Sequence, residues 1–246
     1  MITEQLKPTN IIRKCLFLLA VCCLHDAIAK PDFEGISLGG TRIVINEKEK
    51  SHSFPVKNNT LNNYIIKSDV FFIDENGFSS NKKIDCFFVE PPIDRIDSEE
   101  IKYINIINDC EGVLADDVES IFYLRVRFVP EKIDNRNIIV NALNYNIKLL
   151  YRPKGVGHSE ATFKVKKEDD ILYIDNASKF NLNIADILVN NNLSVKPNNE
   201  MLIIKPLSIY PIVIKGVNNK VEKITVKYID SFGYEQSKEQ VIHENN

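Results

Sequence analysis

The stretch NIKLLYRPKG, residues 146–155, decides the reading of this chain. Ile147, Leu149 and Tyr151 alternate with Lys148, Leu150 and Arg152, the two-residue period of a β-strand. One face is apolar throughout. The other carries two cations beside a leucine, and Lys and Arg seldom enter an interior without a partner. An edge strand with solvated cations would account for this.

Similar segments lie on both sides. TRIVIN (41–46), YIIKSDVFFID (64–74), CFFVE (86–90), IKYINII (101–107), IFYLRVRFV (121–129) and IIVNALNYNIKLLY (138–151) are rich in Ile, Val, Phe and Tyr, and several alternate. KNNT, DENG and PEKIDNRN break between them. After RPKGVGHSEA (152–161), the best linker in the chain, come ILYIDN (171–176), FNLNIADILV (180–189), MLIIKPLSIYPIVIK (201–215), KITVKYID (223–230) and EQVIH (239–243). No segment keeps a helical stripe. The expectation is an all-β protein of two sandwich domains, the first ending near residue 152. Trp is absent, so the Cys…Trp…Cys core of an antibody-type domain is missing.

Lys7, Arg13 and Lys14 precede the apolar run CLFLLAVCCL (15–24) and the small residues AIA (27–29). This is the pattern of a secretory signal peptide over residues 1–29, and the run is too short to span a bilayer. Removing that segment's net +1 from the chain's −3 leaves −4. Neither value suits a nucleic-acid partner, which needs a basic surface. No later run is long enough for membrane insertion once the signal is cleaved.

Cleavage would also leave only Cys86 and Cys110, in an oxidising compartment. CFFVEPPIDRID and EEIKYINIINDC read as antiparallel strands joined by a turn near Ser98. Pairing about that turn sets residue 86 opposite 110–111, within bridging distance, so a disulfide is expected.

His52, His158 and His243 are not spaced as metal ligands with each other or with cysteine. The chain has no G-x-S-x-G, H-E-x-x-H or phosphate loop. A catalytic role is therefore not expected, and neither is a metal or other cofactor.

Four stretches in order, GGTRIVI (39–45), FFVEPPIDRID (87–97), ESIFYLRVRFVP (119–130) and IKLLYRP (147–153), resemble the PapD-like periplasmic chaperones of the chaperone–usher pathway. YIDSFG (228–233) extends the likeness more loosely into the second half. The resemblance implies two immunoglobulin-like sandwiches in a boomerang, residues 30–152 and 153–246. It implies a periplasmic chaperone that completes the unfinished sandwich of a fimbrial or pilus subunit with its own strand and delivers that subunit to an outer-membrane usher. Neither cofactor nor covalent reaction is implied.

Residue by residue, the family pattern places Arg42 and Lys148 on the subunit's C-terminal carboxylate. It places Glu119, Arg152 and Asp230 in an ion network between the domains. The apolar row of the donor strand falls on Ile139, Asn141 and Leu143, where Asn141 departs from the pattern. The alternative is a secreted β-sandwich adhesin or fimbrial structural component. A subunit of that kind would more simply be one incomplete sandwich than two.

Overall fold

The computed structural model describes residues 34–74, 77–131, 141–156, 162–195, 202–214 and 221–242. They form strands β1 (Ile36–Leu38), β2 (Arg42–Asn46), β3 (Ser51–Asn58), β4 (Tyr64–Ile73), β5 (Ser79–Lys83), β6 (Phe87–Glu90), β7 (Ile93–Ile96), β8 (Ile101–Asn108), β9 (Ser120–Pro130) and β10 (Leu143–Arg152). The second half contributes β11 (Lys164–Glu168), β12 (Ile171–Asn176), β13 (Leu182–Val189), β14 (Leu193–Ser194), β15 (Leu202–Ile204), β16 (Ser208–Val213), β17 (Lys223–Ile229) and β18 (Glu235–Val241). No helix occurs among the described residues, as the sequence periodicity implies.

The first sandwich packs sheet β1-β3-β8-β6 against sheet β2-β10-β9-β4-β5, with β7 also on β4. Strand β9 shows why the two sheets adhere. Phe122, Leu124, Val126 and Phe128 are buried, while Tyr123, Arg125 and Arg127 alternate on the outer face. Burying each of these apolar side chains contributes about 1.5–3 kcal/mol before the entropy of ordering it is counted. The second sandwich packs β11-β12-β16 against β14-β13-β17-β18, with β15 on β13. Leu172, Ile174, Leu182, Ile184, Ile224 and Val226 centre its separate core.

Some local readings are corrected by the tertiary structure. MLIIKPLSIYPIVIK divides in two: β15 joins the sheet of β13, and β16 joins that of β12. The break falls at Pro206 and Leu207, which has φ +52°, a conformation no strand sustains. The strand expected from 138 begins at Leu143; Asn141 and Ala142 precede it, and 138–140 lie outside the described residues. SHSFPVKN forms β3 by turning inward only Phe54, Val56 and Asn58, too sparse an apolar pattern to stand out in sequence.

The stretch expected as one strand from Cys86 to Asp97 changes sheets. β6 pairs β8, but after the cis Glu90–Pro91 bond the chain crosses over and β7 pairs β4. Two adjacent prolines cannot donate to a ladder, which makes this the natural place to leave one. Phe87 stands opposite Asn108, so Cys86 faces Asp109, one residue from the expected register. The disulfide Cys86–Cys110 forms as expected, with its Cα atoms 4.8 Å apart.

Candidate functional site

β2 and β10 run parallel, and their register sets Arg42 directly beside Lys148. From Ile147 to Arg152, β10 is buried on both faces. One face packs on the first core through Ile147, Leu149 and Tyr151. The other is covered by residues of the second sandwich, so Lys148, at 6% exposure, is an interior ammonium.

Lys148 Nζ donates to Asn183 Oδ1 at 2.7 Å. Burial, aided by the positive charge of Arg42, pushes its pKa from 10.5 down to about 7. Arg42 donates through Nη1 to the carbonyls of Asp230 and Ile229, the latter at 3.4 Å. Its Nε is buried and has no hydrogen-bond partner. Burial likewise lowers the Arg42 pKa, opposed by the charges of Asp230 and Glu119. Two cations side by side, one with an unmet buried donor, favour the arrival of an anion, because a buried N–H without an acceptor costs about 1–3 kcal/mol.

A second cluster lies alongside. Arg152 Nε meets Glu119 Oε2 at 2.8 Å, with both side chains almost wholly buried. Glu119 Oε1 accepts from the backbone N–H and the side-chain Nδ2 of Asn181, each at 3.0 Å. Asn181 Nδ2 also donates to the Glu119 carbonyl, and the Glu119 N–H donates to the carbonyl of Lys179. The Arg152 guanidinium stacks 5.1 Å above the Phe180 ring and donates through Nη2 to Ser231 Oγ. The first sandwich is thus bonded to the β12–β13 connection and to the β17–β18 turn.

The Asp230 carboxylate is engaged in that turn. It accepts from the N–H groups of Phe232 and Tyr234, both at 2.9 Å, and from Gln236 Nε2 at 3.0 Å. Burial pulls its pKa upward, but the hydrogen bonds from Gln236, Tyr234, Phe232 and Gly233 outweigh this and hold it below the ordinary value. Glu119 and Arg152 pair directly, whereas the link from Arg152 to the 230 turn runs through Ser231, and Asp230 reaches Arg42 through its carbonyl. Gly233, at φ +96°, takes a backbone conformation that L side chains rarely adopt, which closes the turn beside Thr41 and Arg42.

Sequence reasoning did not select Asn181, Asn183, Phe180 or Ser231. The one available signal is the alternation in FNLNIADI, where two asparagines take turns with core residues. Both are buried, facing the first sandwich. A crevice of about 20 Å3 opens among Arg42, Glu119, Asn181, Asn183, Asp230 and Ser231.

Leading into this site, β10 residues 143–147 pair with β9 on one side only, since β2 begins to pair at Lys148. Among the described residues, no strand covers the other edge. Leu143 is 39% exposed at its start, Tyr145 packs partly on the core, and Asn141 is exposed just before the strand. Ile139 lies outside the described residues.

Two immunoglobulin-like β-sandwiches joined by buried polar contacts, with paired cations at the end of a half-open strand, define the class of the protein. Comparison with known families then identifies it. Residues 35–157 match the pili and flagellar-assembly chaperone family, PapD N-terminal domain. The probable fimbrial chaperone YfcS of Escherichia coli (strain K12) is 30% identical over 222 residues, covering 87% of this chain and 86% of that protein. Chaperone protein PmfD of Proteus mirabilis (strain HI4320) is 28% identical over 232 residues, covering 89% and 86%. The crystal structure of the periplasmic chaperone SfaE superposes with a TM-score of 0.64 at 25% identity, covering 85% of this chain and 99% of that one. The SafB chaperone structure, a complex with Salmonella enterica SafA pilin, gives a TM-score of 0.70 at 18% identity, covering 84% and 96%. The chain belongs to the PapD-like pilus-assembly chaperones.

Proposed function

We propose that this protein is a periplasmic chaperone that captures fimbrial subunits by lending them β10 and delivers them to an outer-membrane usher. Residues 1–29 act as the signal peptide, 30–152 as the strand-donating domain and 153–246 as the second sandwich. The observation that carries this reading is the pairing of Arg42 with Lys148 at the inner end of β10. The exposed edge of residues 143–147 offers unpaired backbone groups to an incoming strand, the physical basis of strand addition. The two cations at its end select a strand that finishes there with a carboxylate. They thereby fix register, which backbone hydrogen bonds alone leave free to slip.

The donated row is Ile139, Asn141 and Leu143, and the amide of Asn141 calls for a polar or small feature in the client groove. Glu119, Arg152 and the Asp230 turn hold the second sandwich so that Asn183 stays on Lys148. No bond is made or broken, and the chemistry requires no cofactor. Binding of a strand-forming peptide copied from the C-terminus of a fimbrial subunit tests this reading. The free acid should bind on the order of tenfold more tightly than its C-terminal amide, and Arg42→Ala should abolish the difference. Equal binding of acid and amide by the unaltered protein would exclude the anchor.

A further inference from the structure

The outer face of the β4–β9 pair carries a second feature, beside the strand-donating edge of β10. Lys67, Asp69 and Phe71 of β4, Lys83 of β5, and Arg125 and Arg127 of β9 line an open groove of about 150 Å3. Four cations against one carboxylate give it a formal charge of +3, in a chain whose net charge is −3. The positive charge is therefore segregated here against the sign of the whole molecule.

The groove is built and partly rigid. The Arg125 guanidinium lies 4.0 Å over the Phe71 ring, and its Nη2 donates to Ser79 Oγ at 2.7 Å and to the Ser80 carbonyl at 3.0 Å. Arg127 Nε donates to Asn144 Oδ1 at 2.8 Å. Lys83 pairs with Asp69 at 2.7 Å, which neutralises the groove's one acid. The other N–H groups of Arg125 and Arg127 and the ammonium of Lys67 make no hydrogen bond within the protein among the described residues. The strand register sets Lys67 directly opposite Arg127. Like charges at facing positions destabilise a sheet, so the arrangement carries a cost that a bound anion would relieve.

We propose that this groove docks an extended acidic segment of a protein partner, with carboxylates on alternate residues. Arg125 and Arg127 lie two positions apart on one strand, about 6.6–6.8 Å, which is also the side-chain repeat of an extended peptide. Carboxylates at that spacing meet both guanidiniums in turn, and the intervening side chains point away. Lys67, opposite Arg127 on the neighbouring strand, approaches the partner carboxylate that Arg127 holds. A compact anion such as a phosphate would engage one end of the groove only.

The test is fluorescence anisotropy of the full mature chain with a labelled peptide alternating Glu and Thr, amidated so that it cannot use the Arg42–Lys148 anchor. The controls are a peptide of the same composition with its Glu and Thr in blocks, and vesicles of phosphatidylglycerol. The alternating peptide should bind more tightly than the block peptide, and added salt should weaken it. Lys67→Glu and Arg127→Glu should each reduce its affinity on the order of tenfold. Lys67→Glu should also leave Tm unchanged or raise it, since it turns a like-charge pair into an opposite one. Equal binding of the two peptides, undiminished binding by both variants, or binding to vesicles alone would each overturn the proposal. Leu143→Glu, which blocks strand addition at β10, should leave this binding unchanged, so the outcome is separable from the client site.

Discussion

Replacing Lys148 with Met should make the chaperone more stable near pH 6 and less able to hold a client. In the unfolded chain this ammonium keeps its proton up to about pH 10.5; in the folded protein it releases it at about 7. Between those values the unfolded state binds more protons, so this group makes stability rise with pH across the window. Below about pH 7 both states are protonated, and the folded protein bears the whole cost of the buried charge. The gap between the two pKa values corresponds to about 5 kcal/mol. Met fills a similar volume without the charge but leaves Asn183 Oδ1 without the donor it has at 2.7 Å, a loss of about 1–3 kcal/mol. The net expectation is a gain of about 2–4 kcal/mol near pH 6 that shrinks toward pH 10. Urea unfolding of both proteins at a series of pH values measures the difference directly. A variant less stable than the parent near pH 6, with the same dependence on pH, would show that the ammonium is not under strain and refute the reasoning.

Other substitutions probe the remaining contacts. Serine at both Cys86 and Cys110 should cost about 3 kcal/mol in urea unfolding, from reopening the loop between them, while the unaltered mature chain from residue 30 shows no thiol to an alkylating reagent without reduction. Glu119→Gln leaves the buried Arg152 guanidinium without its counter-charge and should destabilise by about 3 kcal/mol; Arg152→Ala should broaden the interdomain distances seen by solution scattering, and an unchanged profile would remove the hinge role. Leu143→Glu, at an exposed position, should shift stability by no more than about 0.5 kcal/mol yet abolish co-purification with a fimbrial subunit; a stable complex would exclude β10 as the donor.

The sequence alone determined the class of the fold, because inward and outward positions in a sandwich differ in hydrophobicity at every second residue. That is why the alternating ILYIDN coincides with β12 and IFYLRVRFV lies within β9. Lys148 and Arg152 stand out as charges on an otherwise apolar strand, whereas Arg42 and Glu119 are pointed to only by the resemblance of their motifs to the chaperone family. Tertiary structure decided what periodicity cannot express. Which sheet a strand joins depends on partners distant in sequence, so the crossing after Glu90 and the split at Leu207 became visible only with β4, β12 and β13 in place. Charged edge strands such as β11, KVKKE, form because β12 offers a ladder, and their own residues bury little beyond Val165. The partners of the cations were likewise hidden. Asn181, Asn183 and Ser231 are ordinary polar residues in sequence, and they became parts of the site only where the second sandwich brings its hydrogen-bonding groups against charges that have lost their water.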